Sequence, residues 1–176
     1  IQTTMLPDGT GGMMIAYMHS YNGPEDLYAK RFLADGTMAW AEPLPLCTLP
    51  GNQSGVRMAA LNDGEFVFTW QDQRNENPDI YAQKVNLAGQ TMWPDPTIVY
   101  GDQELQVSVS QLNPRIVKTS DNAVIIIWED HRLDSQNPDL FAQKIAANGT
   151  KLWAATGIPV CTAEFAQIGP RMSADT

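Results

Sequence analysis

The sequence predicts an all-β protein built from repeated four-stranded antiparallel sheets. Three observations lead to this prediction. A passage of about 35 residues recurs three times along the chain, as in repeat proteins. Short apolar runs separated by turn residues replace any sustained helical periodicity. One of these runs, AVIIIW, is apolar on both faces, which indicates a strand covered on both sides.

The repeat is marked by anchor residues that keep the same order in all three copies. One aspartate marks the first turn, a second begins the third strand, and a tryptophan follows the second turn. Equivalent anchors lie about 53 to 60 residues apart, within the range of known structural repeats. The three sets are Asp8, Asp63 and Asp121; Asp26, Asp79 and Asp139; and Trp40, Trp93 and Trp153.

Each copy reads as four strands in order. The first strand is RMAAL or RIVKT, and it ends at a tight turn such as Asp63-Gly64, which favours a two-residue hairpin. The second strand is EFVFTWQD or AVIIIWED, and an acidic loop follows it. The third strand is DIYAQKV or DLFAQKI. After a glycine-containing turn, the fourth strand begins near the recurring tryptophan.

Sheets of four strands that are covered on both faces and repeat at about 50 residues are typical of β-propeller blades. A β-sandwich is the alternative, but its strands keep a polar outer face. We expect a partial β-propeller of three four-stranded antiparallel blades plus the first strand of a further blade. Because propellers usually need about four to eight blades, other blades of the same protein or another subunit should complete the ring. The expected ranges are 1–55, 56–113, 114–169 and 170–176.

The bulk composition excludes several classes of partner. The chain has 176 residues, of which 43% are hydrophobic, as in globular proteins. Its net charge is −9, so no basic face for nucleic acid or for an anionic membrane surface is expected. No apolar run approaches the roughly 20 residues that cross a bilayer, so we expect no membrane insertion.

A charged motif, W-x-D-x-R, occurs in the second and third copies. With a two-residue turn, Arg57 would lie opposite Trp70 and diagonal to Asp72, so it could stack on the indole and pair with the carboxylate. Arg74 could then hold the loop against Asp79. We interpret these residues as structural ion pairs and stacking contacts, and a metal loop or ligand contact is the alternative. The third copy repeats the arrangement with Arg115, Trp128, Asp130, Arg132 and Asp139.

The first copy favours the structural interpretation. Gln2 replaces Arg57 and His19 replaces Asp72, so both charges are absent together. Removal of one member of a buried ion pair costs about 3–5 kcal/mol, whereas replacement of both can be nearly neutral. Joint loss is therefore what a structural pair predicts.

Arg57, Arg115 and Arg171 form the alternative functional hypothesis. They begin the innermost strand of successive units, so in a ring they could converge on one channel mouth. Converging guanidinium groups bind a carboxylate or sulfate well, which would suit an anionic ligand or glycan. If each arginine is neutralised by the aspartate of its own unit, no such site remains.

The sequence gives little indication of a catalytic nucleophile, a disulfide or a metal site. His19 and His131 occupy different positions of the repeat, and neither lies in a nucleophile motif. Cys47 and Cys161 are equivalent positions two units apart, beyond the roughly 7 Å limit for a disulfide, so we expect two reduced thiols. The acidic loops offer oxygen ligands, but the EF-hand spacing is absent. We therefore predict no catalytic residue, no metal and no cofactor.

The pattern W-x-D-x-R, then N-P-D-[IL]-[YF]-A-Q-K, then G-x-x-x-W resembles the propeller-like repeats of large secreted or surface-anchored bacterial proteins. The resemblance implies an extracellular or cell-surface protein, exported by a dedicated secretion system and involved in adhesion or binding. It implies no catalytic residue. The sialidase Asp-box does not match, because Asp35 and Gly36 are adjacent here.

The sequence therefore predicts a non-catalytic binding or scaffolding module that presents propeller loops to a protein or glycan partner, and not an enzyme. A purely structural spacer is equally compatible. The alternative is part of a glycan-processing enzyme, sialidase-like or otherwise carbohydrate-active, whose remaining blades are absent from this chain. An enzyme should place unmatched carboxylates or tyrosines at one loop rim, whereas the acidic residues here recur with the repeat. The observation that discriminates is whether Arg57 and Arg115 are paired within their own units or point unpaired into a shared cavity.

Overall fold

A computed structural model describes residues 3–20, 23–101 and 109–174, and Gln2 lies outside these ranges. The described residues form twelve strands in three sheets, with no α-helix among them. The first sheet contains β1 (Thr3–Pro7), β2 (Met13–His19), β3 (Asp26–Phe32) and β4 (Leu44–Cys47). The second sheet contains β5 (Gln53–Ala60), β6 (Glu65–Asn75), β7 (Asn77–Asn86) and β8 (Thr97–Tyr100). The third sheet contains β9 (Gln111–Lys118), β10 (Val124–Asp130), β11 (Asp139–Ile145) and β12 (Ile158–Cys161).

Each sheet is an antiparallel meander in which strands adjacent in sequence are adjacent in space. The prediction of three four-stranded antiparallel sheets is confirmed. Residues 162–174 contain no strand, so no strand forms in the described part of the segment 170–176, where the first strand of a further blade was expected. No neighbouring strand within the described residues supplies hydrogen bonds to that segment, and a strand needs such a partner. The predicted unit boundaries remain predictions.

The second sheet lies between the other two and is covered on both faces. Phe66, Phe68 and Trp70 pack with buried residues of the first sheet. Val67 and Ile80, from the opposite face, pack with buried residues of the third sheet. β-branched and aromatic residues therefore occupy both faces of β6, which explains why this strand does not alternate between apolar and polar residues.

The third sheet is covered on one face. Val124, Ile126 and Trp128 pack against the second sheet, whereas Ile125 on the outer face is partly exposed. The outer face of the first sheet is also open, and Met5 and Met13 are exposed there. Both ends of the stack therefore expose apolar side chains of the kind that the inner faces bury.

The predicted register of the first hairpin in each unit is wrong by one residue. Arg57 lies opposite Thr69, and Arg115 lies opposite Ile127. The loop in the second sheet has three residues, Asn62–Gly64, rather than two. It ends in a left-handed residue, as three-residue hairpins usually do, with a φ of 73° at Gly64. Because side chains alternate along a strand, the shift places Arg57 and Trp70 on opposite faces of the sheet.

Candidate functional site

One end of the stack collects the residues that sequence analysis singled out. In an antiparallel meander, the first strand begins at the same end at which the second strand stops and the third begins. The loops 131–138 and 162–170 of the third sheet therefore lie at the end where its edge strand β9 begins, four residues before Arg115. We call this end of the molecule the loop end.

Arg57 and Arg115 have no carboxylate partner among the described residues. Arg57 Nη1 donates to the carbonyl of Val56 at 2.7 Å, and Arg115 Nη1 donates to the carbonyl of Pro114 at 2.9 Å. The predicted pairs of Arg57 with Asp72 and of Arg115 with Asp130 do not form, because the register shift places the partners on opposite faces. β5 and β9 are neighbours, and both arginines are half-buried. Burial lowers the pKa of Arg57, and the charge of Arg115 lowers it further.

Arg171, the third member of the predicted anion site, is exposed in the segment after β12. It follows Gly169 and Pro170, as Arg115 follows Asn113 and Pro114. The structure therefore brings Arg57 and Arg115 onto neighbouring strands and leaves Arg171 on the surface.

The W-x-D-x-R motif of the second sheet forms a compact cluster. Asp72 is fully buried, and it accepts hydrogen bonds from Trp70 Nε1 at 3.0 Å and from Arg74 Nε at 3.0 Å. The Arg74 guanidinium lies 4.0 Å from the centre of the Tyr81 ring. It also donates to the sulfur of Cys47 in the first sheet at 3.3 Å. The cluster therefore joins two neighbouring sheets.

The same cluster recurs in the third sheet. Asp130 accepts from Trp128 Nε1 at 2.6 Å and from Arg132 Nε at 2.9 Å. The Arg132 guanidinium lies between Phe141 of its own sheet and Tyr100 of the second sheet, with distances of 3.8 and 3.9 Å to the ring centres. Tyr100 occupies the position that Cys47 occupies in the first sheet, so both clusters contact the preceding sheet through the same strand.

Burial and hydrogen bonding act in opposite directions on these groups. Burial raises the pKa of Asp72, but hydrogen bonds from Arg74 and Trp70 outweigh it, and the pKa lies below its usual value. Burial raises the pKa of the Cys47 thiol to about 11. Cys47 and Cys161 are both free, so the prediction that they form no disulfide is confirmed.

The third-strand aspartates Asp79 and Asp139 are equivalent in sequence but differ in environment. Asp79 accepts a hydrogen bond from Asn75 Nδ2 at 3.3 Å, and Gly101 packs against its carboxylate. The carboxylate of Asp139 receives no hydrogen bond or ion pair from any described residue, although only 6% of the residue is exposed. The predicted contact of Arg132 with Asp139 is replaced by the ion pair of Arg132 with Asp130.

Asp139 lines a cavity of about 440 Å³ at the loop end, between the loops that follow β10 and β12. Asp134 and Glu164 line the same cavity, together with Phe165, whose ring is 79% exposed. Phe165 has a φ of 69°, a rare and strained conformation for a bulky residue. Gln167 Nε2 donates to the carbonyls of Ala163 and Phe165 and so holds this loop in place.

A second contact between sheets was not identified from the sequence. Trp40 Nε1 donates to the carbonyl of Leu87 at 3.1 Å, and its ring covers Gly89 so closely that a β-carbon there would lie 2.9 Å from Trp40 Cε2. Trp93 repeats this contact on the third sheet, with the carbonyl of Ala147 and with Gly149. The G-x-x-x-W spacing was the signal, but it does not show that the tryptophan reaches the glycine of the next unit.

A third contact positions the arginines. The amide of Asn113 donates to Gln71 at 3.0 Å, and the amide of Gly169 donates to Glu129 at 2.7 Å. Each donor precedes an arginine by two residues and has a positive φ, as does Gly55 before Arg57. In β5 and β9 the strand register shifts at this point, as in a β-bulge. The bulge therefore sets the direction in which the arginine leaves the innermost strand.

The outer sheets also contain counterparts of the residues that form these contacts, but no described sheet packs against those counterparts. Trp153 and Cys161, the third-sheet counterparts of Trp93 and Tyr100, are partly exposed. On the outer face of the first sheet, a cavity of about 440 Å³ is lined by Met13, Ala34 and Gly36. Gly36 is the counterpart of Gly89, which Trp40 covers in the second sheet.

The remaining candidates form no reactive cluster. His131 Nδ1 lies 3.0 Å from the carbonyl oxygen of Ser135, and His19 is exposed beside Tyr28. No group of three or more potential metal-ligating side chains occurs in the part of the chain that is described. No helix in that part is long and apolar enough to cross a membrane.

No protein-family model and no curated protein matches this sequence. Solved structures match it in fold. An endo-1,4-beta-xylanase from Bacteroides thetaiotaomicron matches with a TM-score of 0.52 at 7% identity, over 85% of this chain and 51% of that chain. A provisionally assigned glycoside hydrolase from Bacteroides ovatus matches with a TM-score of 0.52 at 11% identity, over 80% of this chain and 45% of that chain. This chain therefore spans about half the length of each.

These matches correct the functional prediction. The sequence favoured a non-catalytic binding or scaffolding module and no enzyme, and that preference is wrong, because the matching fold is that of glycoside hydrolases. The prediction was wrong because it was based on the repeated W-x-D-x-R residues, and these residues form contacts between sheets. At such low identity the matches show the fold alone.

Proposed function

We propose that this chain is part of a carbohydrate-active enzyme of β-propeller architecture that cleaves glycosidic bonds at the loop end. The proposal joins two kinds of support. The solved structures that share the fold are named as a xylanase and a glycoside hydrolase. The loop end also carries a buried carboxylate, Asp139, that no described residue neutralises.

The three sheets are, in this proposal, successive blades with the ranges 1–55, 56–113 and 114–169, and 170–176 begins a following blade. The support comes from the contacts between sheets, which are the same at both interfaces. In the outer sheets, Trp153 and the surface around Gly36 correspond to the two sides of such a contact, and no described sheet packs against either of them. Further sheets of the same kind, from the same polypeptide or another subunit, would occupy them and close the ring.

Asp139 is the observation that carries the enzymatic proposal. Asp139 lines the cavity and receives no hydrogen bond from a described residue, whereas the equivalent Asp79 does have a hydrogen-bond partner. An unpaired carboxylate lining a cavity is therefore a candidate for a group that acts on a ligand. Glycoside hydrolysis needs two carboxyl groups that flank the glycosidic bond, one as an acid and one as a base or nucleophile. Asp134 and Glu164 line the same cavity and are candidates for the second group.

Phe165 suits the same ligand class. An exposed aromatic ring offers an apolar face against which the CH groups of a sugar ring can pack. Its loop is held by hydrogen bonds from Gln167 in a conformation that costs backbone strain, and such strain is often retained at functional sites. An extracellular or cell-surface bacterial location, as the repeat resemblance implies, fits an enzyme whose substrates are polysaccharides.

The test compares Asp139→Asn with Asp79→Asn, the same substitution at the equivalent position of the preceding sheet. Reducing-sugar release from xylan, arabinan and glucuronoxylan is measured for the purified protein and both variants. A general acid or base contributes about 10²–10⁴-fold to rate, so Asp139→Asn should reduce release by that factor. Asp79→Asn should lower thermal stability and leave release within a few-fold of the parent.

Two results would overturn the proposal. One is release by Asp139→Asn at the rate of the parent protein on every substrate. The other is the absence of release from all three polysaccharides by a protein that is folded by circular dichroism.

A further inference from the structure

We infer that Arg57 and Arg115 together form a site for the carboxylate or sulfate group of an acidic glycan. The inference rests on the proposed function for the kind of ligand, a sugar chain, and it adds the class of substituent that the protein recognises.

The fold brings the two side chains together. β5 and β9 are the innermost strands of neighbouring sheets, and they lie side by side. Each arginine follows a register shift by one or two residues, after Gly55 in β5 and after Asn113 in β9. The same local backbone therefore precedes both arginines, and the two residues occupy equivalent positions of strands that lie side by side.

Of the six arginines in the described residues, Arg171 is exposed and forms no ion pair, and the five that are partly buried fall into two groups. Arg31, Arg74 and Arg132 each form an ion pair with an aspartate of their own sheet. Arg57 and Arg115 form none within the described residues. In a protein with a net charge of −9, carboxylates are abundant, so two half-buried arginines without one are unexpected.

Glu129, on the strand that pairs with β9, does not neutralise them. Glu129 lies at the same end of β10, and both of its oxygens are engaged. Oε2 accepts from Asn113 Nδ2 at 2.8 Å, and Oε1 accepts from the amide of Gly169 at 2.7 Å. Glu129 therefore fixes the backbone beside Arg115 instead of pairing with its guanidinium.

An anion would relieve the cost of this arrangement. Two like charges that are close together and partly removed from water destabilise each other. The direction of the Arg57 pKa shift agrees, since burial and then the charge of Arg115 both disfavour the charged form. A bound oxyanion reverses both effects, and it forms charge-assisted hydrogen bonds with each guanidinium.

The guanidinium groups retain donors for such a ligand. Each arginine has five N–H donors in a planar fork. Arg57 uses Nη1 for the carbonyl of Val56, and Arg115 uses Nη1 for the carbonyls of Asn113 and Pro114. These bonds to the strand hold the side chains in place, and no described residue accepts from Nη2 of either arginine. The oxygens of a planar carboxylate, or two oxygens of a tetrahedral sulfate, can accept from the two N–H groups of such a fork.

The test measures binding of three oligosaccharides of equal length by isothermal titration calorimetry. One carries a glucuronate, one carries a sulfate ester and one is neutral. The protein should bind at least one acidic oligosaccharide about tenfold or more tightly than the neutral one, which corresponds to about 1.4 kcal/mol. The preference should weaken as salt is raised from 50 to 300 mM, because salt screens charge interactions. The tighter of the two acidic ligands identifies the substituent.

Arg57→Gln and Arg115→Gln should each abolish the preference and leave affinity for the neutral ligand unchanged. Lys30→Gln is the matched control, since it removes one positive charge from the first sheet, where Lys30 lies over the Tyr17 ring. Arg57→Lys and Arg115→Lys keep the charge and lose the fork, so they should lose most of the preference while retaining the fold. Equal affinity for acidic and neutral ligands, or equal losses in Lys30→Gln, overturns the inference.

The two proposals fail in distinguishable ways. Hydrolysis that depends on Asp139, without any preference for acidic ligands, overturns the arginine site alone. A preference for acidic ligands that depends on Arg57 and Arg115, without hydrolysis of any polysaccharide, overturns the enzymatic proposal alone.

Discussion

The W-x-D-x-R motif shows how residue spacing along a strand determines a cluster. Positions i and i+2 of a strand point to the same face, so Trp128 and Asp130 lie on one side of the third sheet, and Arg132 follows two residues after the end of the strand. The buried carboxylate then accepts from both neighbours, and the guanidinium is held between two aromatic rings. The residues that donate to the Asp130 carboxylate within its own sheet are Trp128 and Arg132, two positions before and after it. The motif is therefore short.

The partner of Asp130 can be tested by a double-mutant cycle. Asp130→Ala leaves the guanidinium of Arg132, whose side chain is 8% exposed, without its anion, and it should cost about 3–5 kcal/mol in the free energy of unfolding. The double variant Asp130→Ala/Arg132→Ala should lose less than the sum of the single losses, with a coupling of about 1–3 kcal/mol. Urea unfolding supplies the measurement.

Arg115→Ala is the control for this cycle, because sequence reasoning paired Arg115 with Asp130. Its loss should add to that of Asp130→Ala within about 0.5 kcal/mol. Coupling between Asp130 and Arg115, and none between Asp130 and Arg132, would contradict the observed ion pair.

At the scale of elements, the order of strands could be predicted but their register could not. Apolar runs, glycine turns and the repeat identify all four strands of each sheet, since these signals are local. The register depends on whether the first hairpin has two or three loop residues, and Asp63-Gly64 is compatible with both. Because the loop has one residue more than predicted, Arg57 lies on the face of the sheet opposite Asp72, and the predicted ion pair does not form.

The tryptophans that follow the second turn differ in what they contact. Trp93 is 3% exposed and bridges the second and third sheets, so Trp93→Ala should lower the free energy of unfolding by about 3–5 kcal/mol. Trp153 occupies the same position of the third sheet but is partly exposed, so Trp153→Ala should cost less than about 1 kcal/mol in this chain. Chemical denaturation of both variants measures the difference. Equal losses would show that the contact with the next sheet contributes little.

At the scale of the whole molecule, the described sheets form a row in which the second sheet packs against both the first and the third. The second sheet is covered on both faces, whereas each outer sheet has one open face. In such a row the stability of a unit depends on its own contacts and on its neighbours. The central sheet should therefore be the most resistant to local opening.

Hydrogen exchange can measure this gradient. Amides of β6 and β7 should exchange only through global unfolding, because both faces of their sheet are buried. Amides of β1 and β12, at the outer sheets, should exchange faster through local opening. Uniform protection across all three sheets would indicate a single cooperative unit and contradict the prediction.

The candidate site could be predicted from the sequence only in part. The three arginines were recognised because they recur, but whether carboxylates neutralise them depended on the register. Asp139 was interpreted as equivalent to Asp79, since the repeat makes them look alike. The difference arises from the neighbours, because Asn75 donates to Asp79 and no described residue donates to Asp139. The repeat identifies the residues that the copies share, whereas the candidate site depends on Asp139, whose surroundings differ from those of Asp79.

The contacts that Trp40 and Trp93 make with successive sheets have a consequence for how such a protein can change over generations. Each unit of coding sequence specifies both the protruding ring and the glycine that receives one. A tandem duplication therefore inserts a unit whose tryptophan and glycine can form the same contacts with the units before and after it. In the ring that we propose, the angle between successive sheets would then determine how many units are needed before the last sheet meets the first.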